Sequence, residues 1–275
     1  MNAALWRKAM AEAWRQFAVS AVVLWLFGWL LVWLMSQFRT GVMSKLLHLL
    51  PDFVGRLAGV PLADLATPTG RLSVLYVHAV PLVVLVGWAL GRGSAVVSGE
   101  IAHGTMDLLA SLPIRRTSVI VASAAVTTVG TLLLVLALWL GQGMGLATVT
   151  LEEPVALGTF FPGAVNLAAM IFCLTAITTL FSSWDRDRWH TILWVGGVFT
   201  LSAILKMVAR LWPAGAWLRY ASFLTAFEPQ RLILAVPEEA GRLAWQYDAT
   251  LVGLGLAAYL GAGAIFAWRD IPQGH

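Results

Sequence analysis

The residues that could perform acid–base or metal chemistry are few in this chain and lie far apart. Glu152 and Glu153 are adjacent, while Asp185 and Asp187 alternate with two arginines in a short polar loop. Two adjacent carboxylates are weak evidence for a metal site, and acids that alternate with arginines are typical of a charge-balanced, solvated turn. These patterns predict neither a catalytic centre nor a metal or cofactor site on this chain.

Histidine leaves one alternative class open. Only His78 falls well inside a long apolar segment, whereas paired haem ligands would need two histidines at matching membrane depth. An isolated intramembrane polar residue is a functional hypothesis in its own right. Because Pro81 follows one turn later, we expect His78 to hydrogen-bond backbone that the proline frees, or a neighbouring helix. A polytopic membrane enzyme or a haem- or quinone-associated membrane protein stays as the alternative function.

The most informative stretch is residues 99–116, with the sequence GEIAHGTMDLLASLPIRR. Gly104 predicts a helix end, Thr105 can cap a new helix, and Asp107 in its first turn suits the positive helix end. Pro113 stops this helix, and two arginines then meet the membrane surface. The pattern predicts a short amphipathic helix, parallel to the membrane surface, that can dock on another protein. Its apolar surface comes from Met106, Leu108, Leu109 and Leu112.

The composition indicates the solvent that surrounds the elements holding this segment. The 275 residues are 59% hydrophobic and only 12% charged, whereas a soluble domain carries about 25% charged residues. Basic residues are scattered between the apolar segments, which argues against nucleic-acid binding. A helix needs about 20 apolar residues to cross the hydrocarbon core. Six spans are predicted on this basis, at residues 17–35, 72–91, 118–141, 163–184, 189–205 and 249–268.

The predicted fold is all-α and integral to the membrane, with six transmembrane helices preceded by an N-terminal amphipathic interfacial helix. Residues 1–16 form the interfacial helix, because apolar and aromatic residues recur there at helical spacing opposite the charged ones. Residues 17–275 form the transmembrane domain, which includes segment 99–116. Its two outer segments, 36–71 and 206–248, contain proline and glycine breaks that predict short helices.

Small residues recur at four-residue spacing in two of the predicted spans. Gly87 and Gly91 lie in the second span, and Gly253, Ala257 and Gly261 lie in the sixth. Such spacing lets helices approach closely in membranes. It is at least as typical of ordinary packing within one chain.

Basic residues beside the spans determine the predicted orientation. The raw counts of Lys and Arg are equal on the two sides, but basic residues in short loops close to spans count most. Arg115, Arg116 and the loop 185–188 lie directly beside spans, while residues 142–154 contain no basic residue. We therefore predict that both ends of the chain are cytoplasmic.

Segment 99–116 resembles the cytoplasmic signature of ABC-2 type transporter permeases, in which a glutamate precedes a Gly-Thr pair, a Leu-Leu pair, a proline and an arginine. The similarity covers most of the chain, including the amphipathic start, the six spans and the long outer segment before the last span. The closing residues 268–272, Trp-Arg-Asp-Ile-Pro, are similar to that family's ending. Segment 36–71 departs from the pattern, being longer than in many relatives. The matching positions are Glu100, Gly104, Thr105, Leu108, Leu109, Pro113 and Arg116.

The resemblance implies the permease subunit of an ATP-driven ABC exporter in a bacterial inner membrane. Such a subunit works as a homodimer or heterodimer with separate ATP-binding subunits, which carry ATP and Mg. This chain has no ATPase motif, because a phosphate-binding loop needs Gly-Lys-Ser/Thr and none of its three lysines follows a glycine. The resemblance also implies a coupling helix that docks on the ATPase. The coupling residues are predicted to be Glu100, Gly104, Thr105, Met106, Asp107, Leu108, Leu109, Pro113 and Arg116.

The energy source and the cargo follow from what the spans lack. The predicted spans contain no Asp, Glu, Lys or Arg, whereas an ion-driven transporter, a third class, normally places ionisable residues at membrane depth. We therefore expect the energy to come from a partner ATPase. The apolar and aromatic walls favour an apolar or amphipathic exported substrate.

Overall fold

A computed structural model of the chain describes residues 3–38, 41, 49, 51–106 and 115–268. Within these ranges, six helical stretches are long and apolar enough to cross a membrane, which confirms the six-span prediction. Each predicted span lies inside one of them; the second lies inside Pro68–Ala102. The long helices are α1 (Ala3–Ser36), α2 (Ala79–Ser94), α3 (Arg116–Thr148), α4 (Phe161–Trp184), α5 (Arg188–Leu211) and α6 (Pro237–Trp268).

Helix α1 includes both the predicted interfacial helix and the first predicted span, because it is one continuous helix of 34 residues. The boundary predicted between residues 16 and 17 therefore does not interrupt the helix. No glycine or proline occurs in the chain before Gly28, so nothing breaks the backbone there. One buried face also continues along the helix, and its residues are Leu5, Ala9, Ala13, Ser20, Leu24, Gly28 and Leu31.

Helix α4 forms the centre of the fold. It packs against α2, α3, α5 and α6. Of the residues in its most apolar stretch, 72% are buried. Its polar side chains do not oppose this burial, because Thr175, Thr178 and Thr179 donate to backbone carbonyls one turn earlier. Helix α5 is the least buried of the long helices, because only 11% of the residues in its most apolar stretch are buried.

Helices α1 and α3 lie side by side with their backbones in direct contact. A Cβ added at Gly28 would lie 2.5 Å from the carbonyl oxygen of Leu138, and one at Gly141 would overlap the carbonyl of Trp25. Close approach through glycine is a general way to pack helices in membranes. Two glycines predicted for such a role, Gly87 and Gly253, have no atom within 4 Å of an added Cβ.

The second outer segment is shorter than predicted because α5 and α6 extend beyond the apolar spans. Helix α5 continues to Leu211 and α6 starts at Pro237, so the predicted segment 206–248 shrinks to residues 212–236. Short helices occur in the described parts of both outer segments, as predicted. They cover Asp52–Ala58, Leu62–Ala66, Pro68–Ser73, Pro213–Ala221, Phe223–Ala226 and Pro229–Leu234.

Six crossings place the two ends of the described chain on one side of the membrane, here termed the N-terminal side. Residues 103–106, Arg115 and the loop 185–187 share that side, and the described residues of the other connections lie on the opposite side. The longer helices bring ionisable residues into the helical segments near both surfaces. These residues are Arg92, Lys206, Arg210 and Asp248.

The α1–α3 contact predicts a large effect of one methyl group. We expect Gly141→Ala to lower the free energy of unfolding by about 1–3 kcal/mol, because overpacking forces the two backbones apart. Gly196→Ala is the matched control, since Gly196 lies in a helix and has nothing within 4 Å of its added Cβ. Thermal unfolding in detergent, followed by size-exclusion chromatography, measures the difference. Equal Tm values for the two variants would contradict the contact.

Candidate functional site

The structure describes five of the nine residues predicted for coupling. Glu100, Gly104, Thr105 and Met106 follow the end of α2, and Arg116 is the first residue of α3. The other four predicted residues lie outside the described residues. They are Asp107, Leu108, Leu109 and Pro113.

Gly104 ends the helix by a backbone turn that only glycine adopts readily. Its φ of 69° is left-handed, and its amide donates to the carbonyl of Ile101 at 3.0 Å. The next amide, of Thr105, donates to the carbonyl of Glu100 at 3.0 Å. This pair of bonds is the Schellman motif, in which a left-handed glycine satisfies the last carbonyls of a helix. The predicted helix end at Gly104 is confirmed.

Glu100 connects this turn to the N-terminal helix. Its side chain, only 12% exposed, forms an ion pair with Lys8 of α1. The other carboxylate oxygen accepts a hydrogen bond of 2.6 Å from the hydroxyl of Thr105. Thr105 therefore binds backward to Glu100; its predicted capping of the following helix stays a prediction. The result is a direct contact between α1 and the residues that enter segment 107–114.

A buried arginine extends this contact. Arg92 is 5% exposed and donates to the carbonyl of Ala9 at 3.2 Å. Its guanidinium lies 3.9 Å from Glu12, which in turn lies 3.5 Å from Lys8. A buried charge is costly without partners. The contacts of Arg92 with Ala9 and Glu12 therefore hold α1 against α2. The contacts of Lys8, Glu12 and Arg92 were not predicted from the sequence, although the spacing of Lys8 and Glu12 is that of a helical ion pair.

A single turn of π-helix, Ala95–Gly99, follows α2 directly. The hydroxyl of Ser182 on α4 accepts hydrogen bonds from two of its amides, Val97 at 3.2 Å and Ser98 at 2.9 Å. The Ser98 hydroxyl accepts a bond of 3.0 Å from Thr191 on α5. Isolated π turns inside helices frequently occur at functional sites.

Arg188 adds a further contact between α5 and the end of α2. Its guanidinium donates to the Ser94 hydroxyl at 3.2 Å and to the Gly91 carbonyl at 3.1 Å. Both acceptors lie in the last turn of α2. The end of the second span is therefore held by polar contacts from α1, α4 and α5.

Met106 fixes the last described residue before segment 107–114. It is 4% exposed and packs in a cluster with Val97, Ile120 of α3 and Phe266 of α6. Segment 107–114 therefore starts from a residue that is packed against three membrane helices. On its other side, Arg116 begins α3 and is exposed.

The remaining chemistry-bearing residues have local structural partners. Asp185 accepts from the amides of Arg186 and Asp187, and Asp187 caps α5 by accepting from the amide of Trp189 at 2.7 Å. His78 caps α2, because its Nδ1 accepts from the amide of Val80 at 3.2 Å. The described residues contain no cluster of three or more His, Cys, Asp or Glu that could hold a metal ion.

A second charged cluster lies on the opposite side of the membrane. Glu228 accepts from Lys206, 3.1 Å away, and from Arg210, which also donates to the carbonyl of Leu57. The backbone amide of Glu228 donates to Asn166 at 2.9 Å. The cluster joins α5, α4 and two outer segments. This cluster was not predicted from the sequence, because hydropathy ends the fifth span at Leu205.

These observations define the class of the protein. It is a polytopic α-helical membrane protein with a polar contact region on its N-terminal side. The model of the ABC-2 family transporter proteins matches residues 23–269, and the chain therefore belongs to the ABC-2 transporter family. The search of curated proteins gave no significant match. Membership identifies the chain as the membrane permease subunit of an ABC transporter, and it implies partnership with an ABC ATP-binding subunit.

The contacts of Ser182 generate a stability prediction. We expect Ser182→Ala to lower the free energy of unfolding by about 1–3 kcal/mol, because two amides of the π turn lose their shared acceptor. Thr175→Ala is the matched control, since Thr175 is also buried in α4 but donates only within its own helix. Thermal unfolding in detergent measures both variants. A loss no larger than that of the control would show that Ser182 does not hold the turn.

Proposed function

We propose that this chain is the permease of an ATP-driven exporter, and that residues 100–116 receive the movement of its ATP-binding subunit. The observation that carries the proposal is the position of Glu100, which contacts both Lys8 of α1 and Thr105 at the start of the predicted docking segment. Export and docking of residues 105–112 follow the family resemblance. The geometry supplies a physical path by which docking acts on the membrane helices.

The path begins at the turn that contains Gly104. A displacement of Thr105 acts on Glu100 through the 2.6 Å hydrogen bond, and Glu100 acts on α1 through Lys8. The same displacement acts on α2 through the π turn, because Glu100 follows that turn directly in the chain. An ATPase that moves the docking segment would therefore change the positions of α1 and α2 together.

A second copy of the permease is the proposed partner within the membrane. Helix α5 supports this proposal, because only 11% of the residues in its most apolar stretch are buried within the chain. Its exposed side carries large apolar residues, which lipid or another protein must cover. These residues are Trp189, Leu193, Trp194, Leu201, Ile204 and Met207.

The proposed orientation places the N-terminal side in the cytoplasm of a bacterium, where the ATP-binding subunit is. Arg115 directly precedes α3 and Arg116 is its first residue, while Arg186 lies in the short turn between α4 and α5 and Arg188 is the first residue of α5. The connection between α3 and α4, on the opposite side, carries Glu152 and Glu153 instead. Basic residues in short loops favour the cytoplasmic side.

Coupling is tested by co-expression with the ABC ATP-binding subunit encoded nearest to this chain. We expect a complex with two permease copies whose ATPase activity depends on the permease. Glu100→Ala and Leu109→Asp should reduce the permease-dependent activity by about 5- to 150-fold, the range of typical coupling free energies. Both variants should insert into the membrane at normal levels, because neither position lies within a predicted span.

Glu238→Ala is the matched control for coupling. Glu238 is an exposed glutamate in the first turn of α6, on the opposite side of the membrane, and its loss should leave ATPase activity unchanged. Full activity of Glu100→Ala and Leu109→Asp at normal expression would remove the basis for assigning coupling to residues 100–116. A failure of every plausible ATPase to co-purify would contradict the proposal as a whole.

Orientation is tested with single introduced thiols. The only native cysteine, Cys173, is fully buried, so the wild-type background is expected to react little. We expect a membrane-impermeant maleimide to label Glu153→Cys in intact spheroplasts and to label Arg186→Cys only after permeabilisation. The reverse pattern would place the N-terminal side outside the cell.

A further inference from the structure

The chain turns back toward the membrane directly after α5. Helix α5 ends at Leu211 on the side opposite the N-terminal side, and the short helix Pro213–Ala221 follows it. The Ser222 hydroxyl then donates at 2.7 Å to the carbonyl of Ser202, which lies about 14 Å below the end of α5 and within the fifth predicted span. Residues 212–221 therefore form a turn at the membrane surface, and we call them the surface turn.

Aromatic and basic side chains form the exposed face of the surface turn. Trp217 and Tyr220 are 64% and 79% exposed, and Arg219 is exposed beside them. Gly215 is buried and packs against the ring of Trp212. Tryptophan and tyrosine are enriched at the level of the lipid headgroups. The surface turn thus presents two rings and one guanidinium where headgroups lie.

Tyr220 positions the guanidinium of Arg219. The guanidinium donates to the Tyr220 hydroxyl at 2.6 Å, and its central carbon lies 4.7 Å from the centroid of the same ring. The ion pairs among the described residues do not include Arg219. An aromatic ring attracts a guanidinium without neutralising it, and an arginine has five N–H donors. Arg219 is therefore oriented but keeps its charge and most of its donors for a partner outside the chain.

Two further arginines on this side of the protein have the same combination of features. Arg231 donates to the Tyr247 hydroxyl at 3.0 Å. Arg242 precedes the exposed Trp245 by about one turn of α6. Both arginines are exposed, and neither forms an ion pair within the part of the chain that the structure describes. Exposed arginines beside aromatic rings are thus a repeated feature of this surface.

We propose that the surface turn binds the phosphate of an anionic phospholipid in the leaflet opposite the N-terminal side. The planar guanidinium of Arg219 supplies parallel N–H donors that match two phosphate oxygens. A zwitterionic lipid has the same phosphate but also an ammonium group, whose positive charge opposes that of Arg219. Charge complementarity therefore favours a lipid with a net negative charge. The site goes beyond the proposed coupling mechanism, because binding requires neither ATP nor the ATP-binding subunit.

The test uses native mass spectrometry of the full chain in detergent without any ATPase, so that its failure is separate from a failure of the coupling proposal. Dioleoylphosphatidylglycerol is the anionic probe, and dioleoylphosphatidylcholine is the zwitterionic lipid with the same acyl chains. We expect the first lipid molecule to bind more tightly when it is anionic. Arg219→Gln should weaken this binding about fivefold, equivalent to ~1 kcal/mol for one basic residue near anionic lipid, and should leave the zwitterionic lipid unaffected.

Three further variants make the result specific. Arg219→Lys should retain the preference for the anionic lipid because it retains the charge. Trp217→Ala should weaken both lipids equally, since an indole ring does not distinguish the two headgroups. Arg186→Gln is the matched control, because Arg186 is also exposed but lies in the turn between α4 and α5 on the N-terminal side. Its loss should leave the affinity for the first anionic lipid unchanged.

Three outcomes would overturn the proposal. Equal affinities for the two lipids would make the surface turn an ordinary contact with the bilayer. Equal losses in Arg219→Gln and Arg186→Gln, or no loss in Arg219→Gln, would reduce the preference to an effect of net charge. A disulfide between two chains through Trp217→Cys would mean that a second copy covers the surface turn.

Discussion

The backbone amides at the end of the second span need hydrogen-bond acceptors, because they lie next to the membrane. The arrangement of the N-terminal side of the fold depends on this requirement. An amide without a hydrogen-bond acceptor in hydrocarbon costs several kcal/mol. In the π turn after α2, the amides of Val97 and Ser98 both point toward α4. The Ser182 hydroxyl accepts both of them. Since Ser182 is on α4, the central helix determines where α2 ends and where segment 100–106 begins.

Charged residues near both membrane surfaces likewise have partners on other helices or segments. On the N-terminal side, Arg92 and Glu100 are compensated by residues of α1. On the opposite side, Glu228 is shared between Lys206 and Arg210. Each set joins segments that are far apart in the sequence, because a charge near the hydrocarbon requires a partner from another helix. The two sets thus fix the relative positions of the helix ends.

The sequence predicts the features that depend on local patterns. Hydropathy locates all six spans, and the helix end at Gly104 follows from the left-handed conformation that glycine adopts. Contacts between distant residues, such as Lys8 with Glu100, have no local signal. Hydropathy also ends a span at the first charged residue, so it cannot place Arg92 or Asp248 inside a helix. The glycines of the α1–α3 contact were missed because spacing does not show which helix faces meet.

The two helices that meet segment 100–106 differ in stiffness. Helix α1 is continuous over 34 residues, about 51 Å, and its backbone contact with α3 adds to its resistance to bending. The second span is interrupted at Val77–His78 and again at the π turn, so it bends at two points. A force applied at Glu100 therefore tilts α1 and α3 as one rigid rod while it flexes α2. The interface between the rod and the rest of the bundle is where deformation across the membrane must concentrate.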